Sequence, residues 1–99
     1  MKVQDLFSLK NKCAVVVGGA GKIGFPVSEA LTEAGARVVI ASKSKEHCDE
    51  AAGKLKERGL VAEGFAVDQS DEQSVLNCLE HVQATFKTPD ILVNCAVER

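Results

Sequence analysis

Gly18, Gly21 and Gly24 recur every third residue, directly after the apolar run Cys13-Ala14-Val15-Val16-Val17. A strand that ends in such a turn aims backbone N–H groups and a helix N-terminus at one spot. Both carry partial positive charge, so the spot suits a pyrophosphate. The three glycines then serve three different ends. Gly18 allows the tight turn, Gly21 lets the backbone approach phosphate, and Gly24 lets the helix pack close to the sheet. Lys22 and Ile23 lie inside the turn and join the candidate binding set. The pattern implies a dinucleotide-binding unit. The competing possibility is a turn that only reverses the chain.

Selectivity between cofactors belongs to the end of the second strand. An acidic residue there holds the ribose hydroxyls of NAD. This chain has Ser42 and Lys43 instead. Serine does not repel a 2′-phosphate, and Lys43 can pair with one, so NADP(H) is favoured over NAD(H). Alternatively, Lys43 is a solvated charge beside a helix start. Asp68 and the adjoining Gln69 follow the third strand, near the sheet edge where open α/β folds bind ligands. The Asp68 carboxylate can accept from an adenine amino group, or it can serve the N-terminus of the next helix.

The elements that position these residues alternate without a long linker. Residues 13–17 read as a strand buried on both faces. A helix is expected over 22–34, with Ile23, Val27, Ala30, Leu31 and Ala34 on its inner face. Pro26 falls in its first turn, where no intrahelical N–H is needed, and Gly35 can end it in the left-handed conformation. Strand 37–41 follows, then a helix over 45–58 capped by Ser44, with Cys48, Ala51, Ala52 and Leu55 inward and Gly59 at its end. Strand 61–67 comes next. Ser70-Asp71-Glu72-Gln73 reads as a capping box for a helix to Phe86 with Val75, Leu79, Val82 and Phe86 on one face. Thr88-Pro89-Asp90 breaks it, and Ile91-Leu92-Val93 is the last strand. Leu6, Phe7 and Leu9 of the lead-in can cover one end of the core. The expected fold is α/β, NAD(P)-binding Rossmann-like. It is a partial doubly wound parallel sheet, β-α-β-α-β-α-β, with strand order 3-2-1-4. Residues 1–99 form a single, truncated domain of this kind.

Composition narrows the classes. Hydrophobic residues make up 45% and charged residues 26%, so the chain is globular. A net charge of −2 offers no electrostatic case for nucleic acid or an anionic membrane. No signal-peptide pattern and no run long enough to span a bilayer is seen. Cys13, Cys48, Cys78 and Cys95 form no C-x-x-C pair and no Cys/His cluster, so no metal site is expected and reduced thiols in the cytoplasm are. His47 and His81 read as ordinary helix positions.

Val17-Gly18-Gly19-Ala20-Gly21-Lys22-Ile23-Gly24, Asp68, and Asp90-Ile91-Leu92-Val93-Asn94-Cys95-Ala96 together resemble the short-chain dehydrogenase/reductase family. The lead-in, Leu6-Phe7-Ser8-Leu9-Lys10-Asn11-Lys12, resembles the start of its bacterial gluconate 5-dehydrogenase-like members. The resemblance implies that Gly18, Gly21, Ile23 and Gly24 line the pyrophosphate and adjoining ribose. It implies that Asp68 holds the adenine, and that Asn94 and Ala96 lie beside the adenosine ribose and steady the central sheet; Cys95, between them, joins the candidate binding set. Two departures stand out. Val17 occupies the place of a threonine. Cys95 and Val97 replace the second asparagine and the glycine of Asn-Asn-Ala-Gly, so an altered turn is expected there.

The resemblance also implies a catalytic serine and a Tyr-x-x-x-Lys motif beyond the fourth strand. These 99 residues contain no tyrosine, so no catalytic residue is assigned. The expected function is the cofactor-binding portion of an NAD(P)(H)-dependent oxidoreductase acting on an alcohol/carbonyl pair, with a small-molecule substrate only in a longer form. The alternatives are a non-catalytic nucleotide-binding or interaction half-domain, and another Rossmann-like enzyme such as an epimerase or a methyltransferase. The unpaired outer edge of the fourth strand predicts a homo-oligomer.

Overall fold

Five consecutive apolar residues with three valines favour extended backbone, and Cys13–Val17 forms β1 at the centre of the sheet. The computed structural model describes residues 9–18, 20–68, 70–86 and 89–94. The elements run β1, α1 (Gly24–Glu33), β2 (Arg37–Ser42), α2 (Lys45–Lys56), β3 (Ala62–Ala66), α3 (Glu72–Phe86) and β4 (Ile91–Asn94). All pairings are parallel and the strand order is β3-β2-β1-β4, as the alternation of elements predicts. Val15 lies opposite both Val39 and Leu92, and Ile40 opposite both Val16 and Gly64.

The pleat divides the core into two layers. Ala14, Val16, Val38 and Ile40 face α1 and α2, where Cys48, Ala51, Ala52 and Leu55 are buried against them. That is the inner row expected of α2. Val15, Val39 and Ala41 face α3 and meet Cys78 and Val82. Burying a side chain as completely as Leu55 or Val82 stabilises the fold by roughly 1.5–3 kcal/mol. Val75 packs against the same cluster, and Cys78 joins this inner face although the apolar period did not select it. The side chain of Phe86 lies outside the described residues.

Helix α1 departs from expectation. Its buried row is Gly24, Ser28 and Thr32, whereas Ile23 is 64% exposed. A helix lying close to a sheet needs small residues on its contact row. The two hydroxyls cost little there because the helix satisfies them. Ser28 Oγ donates to Gly24 O at 2.9 Å, and Thr32 Oγ1 donates to Ser28 O at 3.1 Å. Leu31 packs against the core from the side. The regular helix begins two residues after the expected start, although Phe25 N already donates to Gly21 O at 2.9 Å. Pro26 lies in the first turn, as anticipated.

Gly35, at φ 106°, ends α1: its N–H donates to Thr32 O and that of Ala36 to Leu31 O, both at 3.0 Å. A side chain at Gly35 would also press on the Lys10 backbone at 3.2 Å, because the lead-in crosses here. Leu9 packs on the core beneath that crossing, whereas Leu6 and Phe7 lie outside the described residues. Helix α3 corrects a second expectation. Asp71, not Ser70, caps it, accepting from Gln73 N at 3.0 Å. Ser70 turns the other way, and both its N–H and its hydroxyl donate to Asp68.

Candidate functional site

The parallel register brings the carboxyl ends of the strands to one edge. Gly18, at φ 79°, leaves β1 there, and its N–H donates to Ala41 O at 2.7 Å. Gly21 N donates back to Gly18 O at 3.1 Å, closing a tight turn. Gly21, Lys22 and Ile23 are exposed along the turn, and Gly24 is buried where α1 meets the sheet. The three glycines therefore occupy three different environments. Ile23 is the N-cap of α1 and makes no side-chain cap, and the first turn holds no acidic residue. Helix α2 contrasts with it: there Ser44 Oγ accepts from His47 N at 3.2 Å. The start of α1 carries the positive end of the helix dipole and has no side-chain cap, although Phe25 N is taken up by Gly21 O and Pro26 has no N–H. That arrangement fits an anionic diphosphate.

Ser42 ends β2 beside this turn. Its carbonyl accepts from Val67 N at 2.8 Å, and its hydroxyl accepts from Ser44 N at 3.4 Å. Lys43 is exposed between these two serines. Asp68 follows β3 on the same edge. The hydroxyl and N–H of Ser70, with Lys43 nearby, hold its carboxyl below the ordinary value. Ser74 Oγ accepts from Asp68 N at 2.9 Å, fixing the loop to α3. Lys43 and Asp68 thus share one electrostatic neighbourhood, although 25 residues of sequence separate them. On the other side of β1, Asn94 pairs with Val17. Gln69, Cys95, Ala96 and Val97 lie outside the described residues.

Asp90 serves the opposite end of the sheet. Its Oδ2 accepts from Cys13 N at 2.9 Å and its N–H donates to Cys13 O at 2.8 Å, clamping the start of β1 to the approach of β4. The sequence suggests for Asp90 a helix-breaking part and a place in the Asp90-to-Ala96 stretch, but not this clamp, because a contact spanning 77 residues leaves no local pattern. His81 stands away from the glycine turn on α3. Its Nε2 lies 2.7 Å from Glu63 Oε1, and its ring packs against Phe65 at 4.9 Å between centroids. Burial pushes the thiols of Cys13, Cys48 and Cys78 up, and all three are free. Among the described residues no helix is long and apolar enough to cross a membrane, and no cluster of three metal-ligating side chains occurs.

Comparison with known proteins agrees with this geometry. The crystal structure of gox2181 superposes with a TM-score of 0.93 at 36% identity, covering 99% of this chain and 38% of that one. The Pseudomonas aeruginosa RhlG/NADP active-site complex gives 0.85 at 34% identity, covering 93% of this chain and 37% of that one. Gluconate 5-dehydrogenase of Gluconobacter oxydans is 31% identical over 96 residues, which span 97% of this chain and 38% of that protein. An uncharacterized oxidoreductase of Bacillus subtilis, YxbG, is 38% identical over 88 residues, 89% of this chain and 32% of that protein. The chain thus spans about a third of the length of the relatives it matches. A family model described as short chain dehydrogenase matches residues 12–97. With a parallel 3-2-1-4 sheet and a glycine turn at its carboxyl edge, the chain belongs to the short-chain dehydrogenase family.

Proposed function

We propose that residues 1–99 form one dinucleotide-binding domain, the cofactor-holding portion of an NAD(P)(H)-dependent oxidoreductase acting on an alcohol/carbonyl pair. One observation carries this reading. The exposed glycine turn and the uncapped start of α1 lie at the same sheet edge as Ser42, Lys43, Asp68 and Asn94. Gly18, Gly21, Lys22, Ile23 and Gly24 line the diphosphate and adjoining ribose, the amides of Gly18 and Gly21 being engaged in shaping the turn itself. Asp68 and Gln69 hold the adenine, while Asn94, Cys95 and Ala96 flank the adenosine ribose. The nicotinamide, when bound, supplies hydride chemistry; these residues bind and orient the adenosine diphosphate portion of the cofactor. The proton relay that the family places on a tyrosine is not among them, since the 99 residues contain none.

NADP(H) is the preferred cofactor in this reading. No carboxylate stands at position 42 to repel a 2′-phosphate, and Lys43 is exposed beside it. Three buried free thiols among the described residues support a reducing, cytoplasmic setting. Fluorescence titration with NADPH and NADH tests the assignment. Saturable binding of both, tighter for NADPH, is the expected result. Absence of binding to either overturns it.

A further inference from the structure

The turn Ser42-Lys43-Ser44 is short and exposed at its middle, so its position depends on what fixes its ends. The group that ties it to the core from below is Cys48, which is fully buried in the first turn of α2. Its Sγ lies 3.7 Å from Ser42 O and 3.5 Å from Phe65 O, the carbonyls near the ends of two adjacent strands. Its N–H donates to Ser44 O at 3.0 Å. One residue thereby contacts both ends of the turn that carries Lys43.

Gly64 sets how closely Cys48 can approach. A Cβ built there would fall 2.7 Å from Cys48 C and 2.8 Å from its Cβ and O. These atoms belong to the helix itself, so they cannot swing aside as a flexible side-chain tip would. Any side chain at position 64 forces α2 outward by roughly 0.7 Å before contact becomes ordinary. The start of α2 would move with it, and Ser44 and Lys43 would follow.

We propose that Cys48 and Gly64 are positioning residues for cofactor selection: Gly64 opens the space in which Cys48 pins the Ser42–Lys43–Ser44 turn at the height needed to meet a 2′-phosphate. This rests on the reading that Ser42 and Lys43 discriminate the two cofactors. Neither residue touches cofactor. They act through the backbone of the turn, so they alter the preference more than the overall affinity.

The test compares Cys48→Ala, Cys48→Ser and Gly64→Ala in the intact protein. Val82→Ala is the control: it is a core change on the opposite face of the sheet that destabilises without touching α2. The readouts are the ratio of NADH to NADPH dissociation constants, the affinities for 2′,5′-ADP and 5′-AMP, and the melting temperature. Cys48→Ala and Gly64→Ala are expected to lower the ratio at least fivefold and to weaken 2′,5′-ADP in proportion, with 5′-AMP within twofold of the parent. Cys48→Ser, which keeps a donor, retains the ratio within about twofold, and Val82→Ala leaves it unchanged. If Gly64→Ala does not fold, Cys48→Ala decides alone. Ser42→Asp and Lys43→Ala run in parallel. If they shift the ratio while Cys48→Ala does not, the positioning role is wrong and the selectivity reading stands. If neither of them shifts it, the selectivity reading itself falls and this inference with it. An equal shift in Val82→Ala would show that general loosening suffices and would also overturn it.

Discussion

Replacing Ser42 with aspartate places a carboxylate at the carboxyl end of β2, on a half-buried residue whose hydroxyl already accepts from Ser44 N at 3.4 Å. The new oxygens can keep that bond, so the fold is expected to tolerate the change. The half-buried position calls for a dielectric constant between that of water and that of a protein interior. At ~40, two unit charges ~5 Å apart repel by roughly 1.7 kcal/mol. A phosphate monoester carries about −1.5 to −2 charge at neutral pH, which raises the repulsion. Lys43, next in sequence, offsets part of it. A net penalty of ~2 kcal/mol against NADPH is expected, a shift of about 30-fold in the NADPH to NADH preference. NADH gains if the carboxylate accepts from the ribose hydroxyls. The assay is a titration of both cofactors at low and high salt. Screening shortens the Debye length from ~10 Å at 0.1 M to ~3 Å at 1 M, so the shift shrinks as salt rises. A preference within threefold of the parent at low salt would refute the assignment of this position to cofactor choice.

Gly24→Val tests the other half of the site. The residue is buried where α1 meets the sheet, so the side chain overpacks the contact at a cost of ~1–3 kcal/mol and tilts the helix start away. Loss of NADPH binding is expected, and an unchanged dissociation constant would contradict the turn geometry. Asp68→Asn tests the loop through pH. Ser70 and Lys43 hold the native carboxyl below its ordinary value. Its stabilising contribution is therefore present above the unfolded carboxylate pKa and is lost as pH falls through the depressed native value. The melting temperature of the parent should exceed that of the variant at neutral pH, with the gap closing only in strong acid. A gap that grows on acidification would reverse the sign and sink the argument.

Much of the architecture was legible because it is written locally. The row Cys48, Ala51, Ala52 and Leu55 repeats with the helical period, and all four residues are buried. Gly35 stands where a helix must turn left-handed, and does so at φ 106°. What periodicity misread was α1. It selects apolar residues, whereas the contact row is Gly24, Ser28 and Thr32. Separation from the sheet, not hydrophobicity, chose those side chains, and that distance has no local signature. The cap of α3 moved from Ser70 to Asp71 for a related reason. Ser70 had a second use, donating to Asp68, which only the fold of the loop reveals.

The candidate site divides in the same way. Sequence alone determined that a strand hands over to a helix through three glycines, and that serine and lysine stand at positions 42 and 43, because these are properties of consecutive residues. Tertiary structure decided that Lys43 lies within electrostatic reach of Asp68, that Asp90 clamps the start of β1, and that Gly64 admits Cys48 beneath the Ser42–Lys43–Ser44 turn. Each of these brings together residues far apart in the chain. The parallel register that creates them is set by crossovers and packing distances, which no single segment encodes.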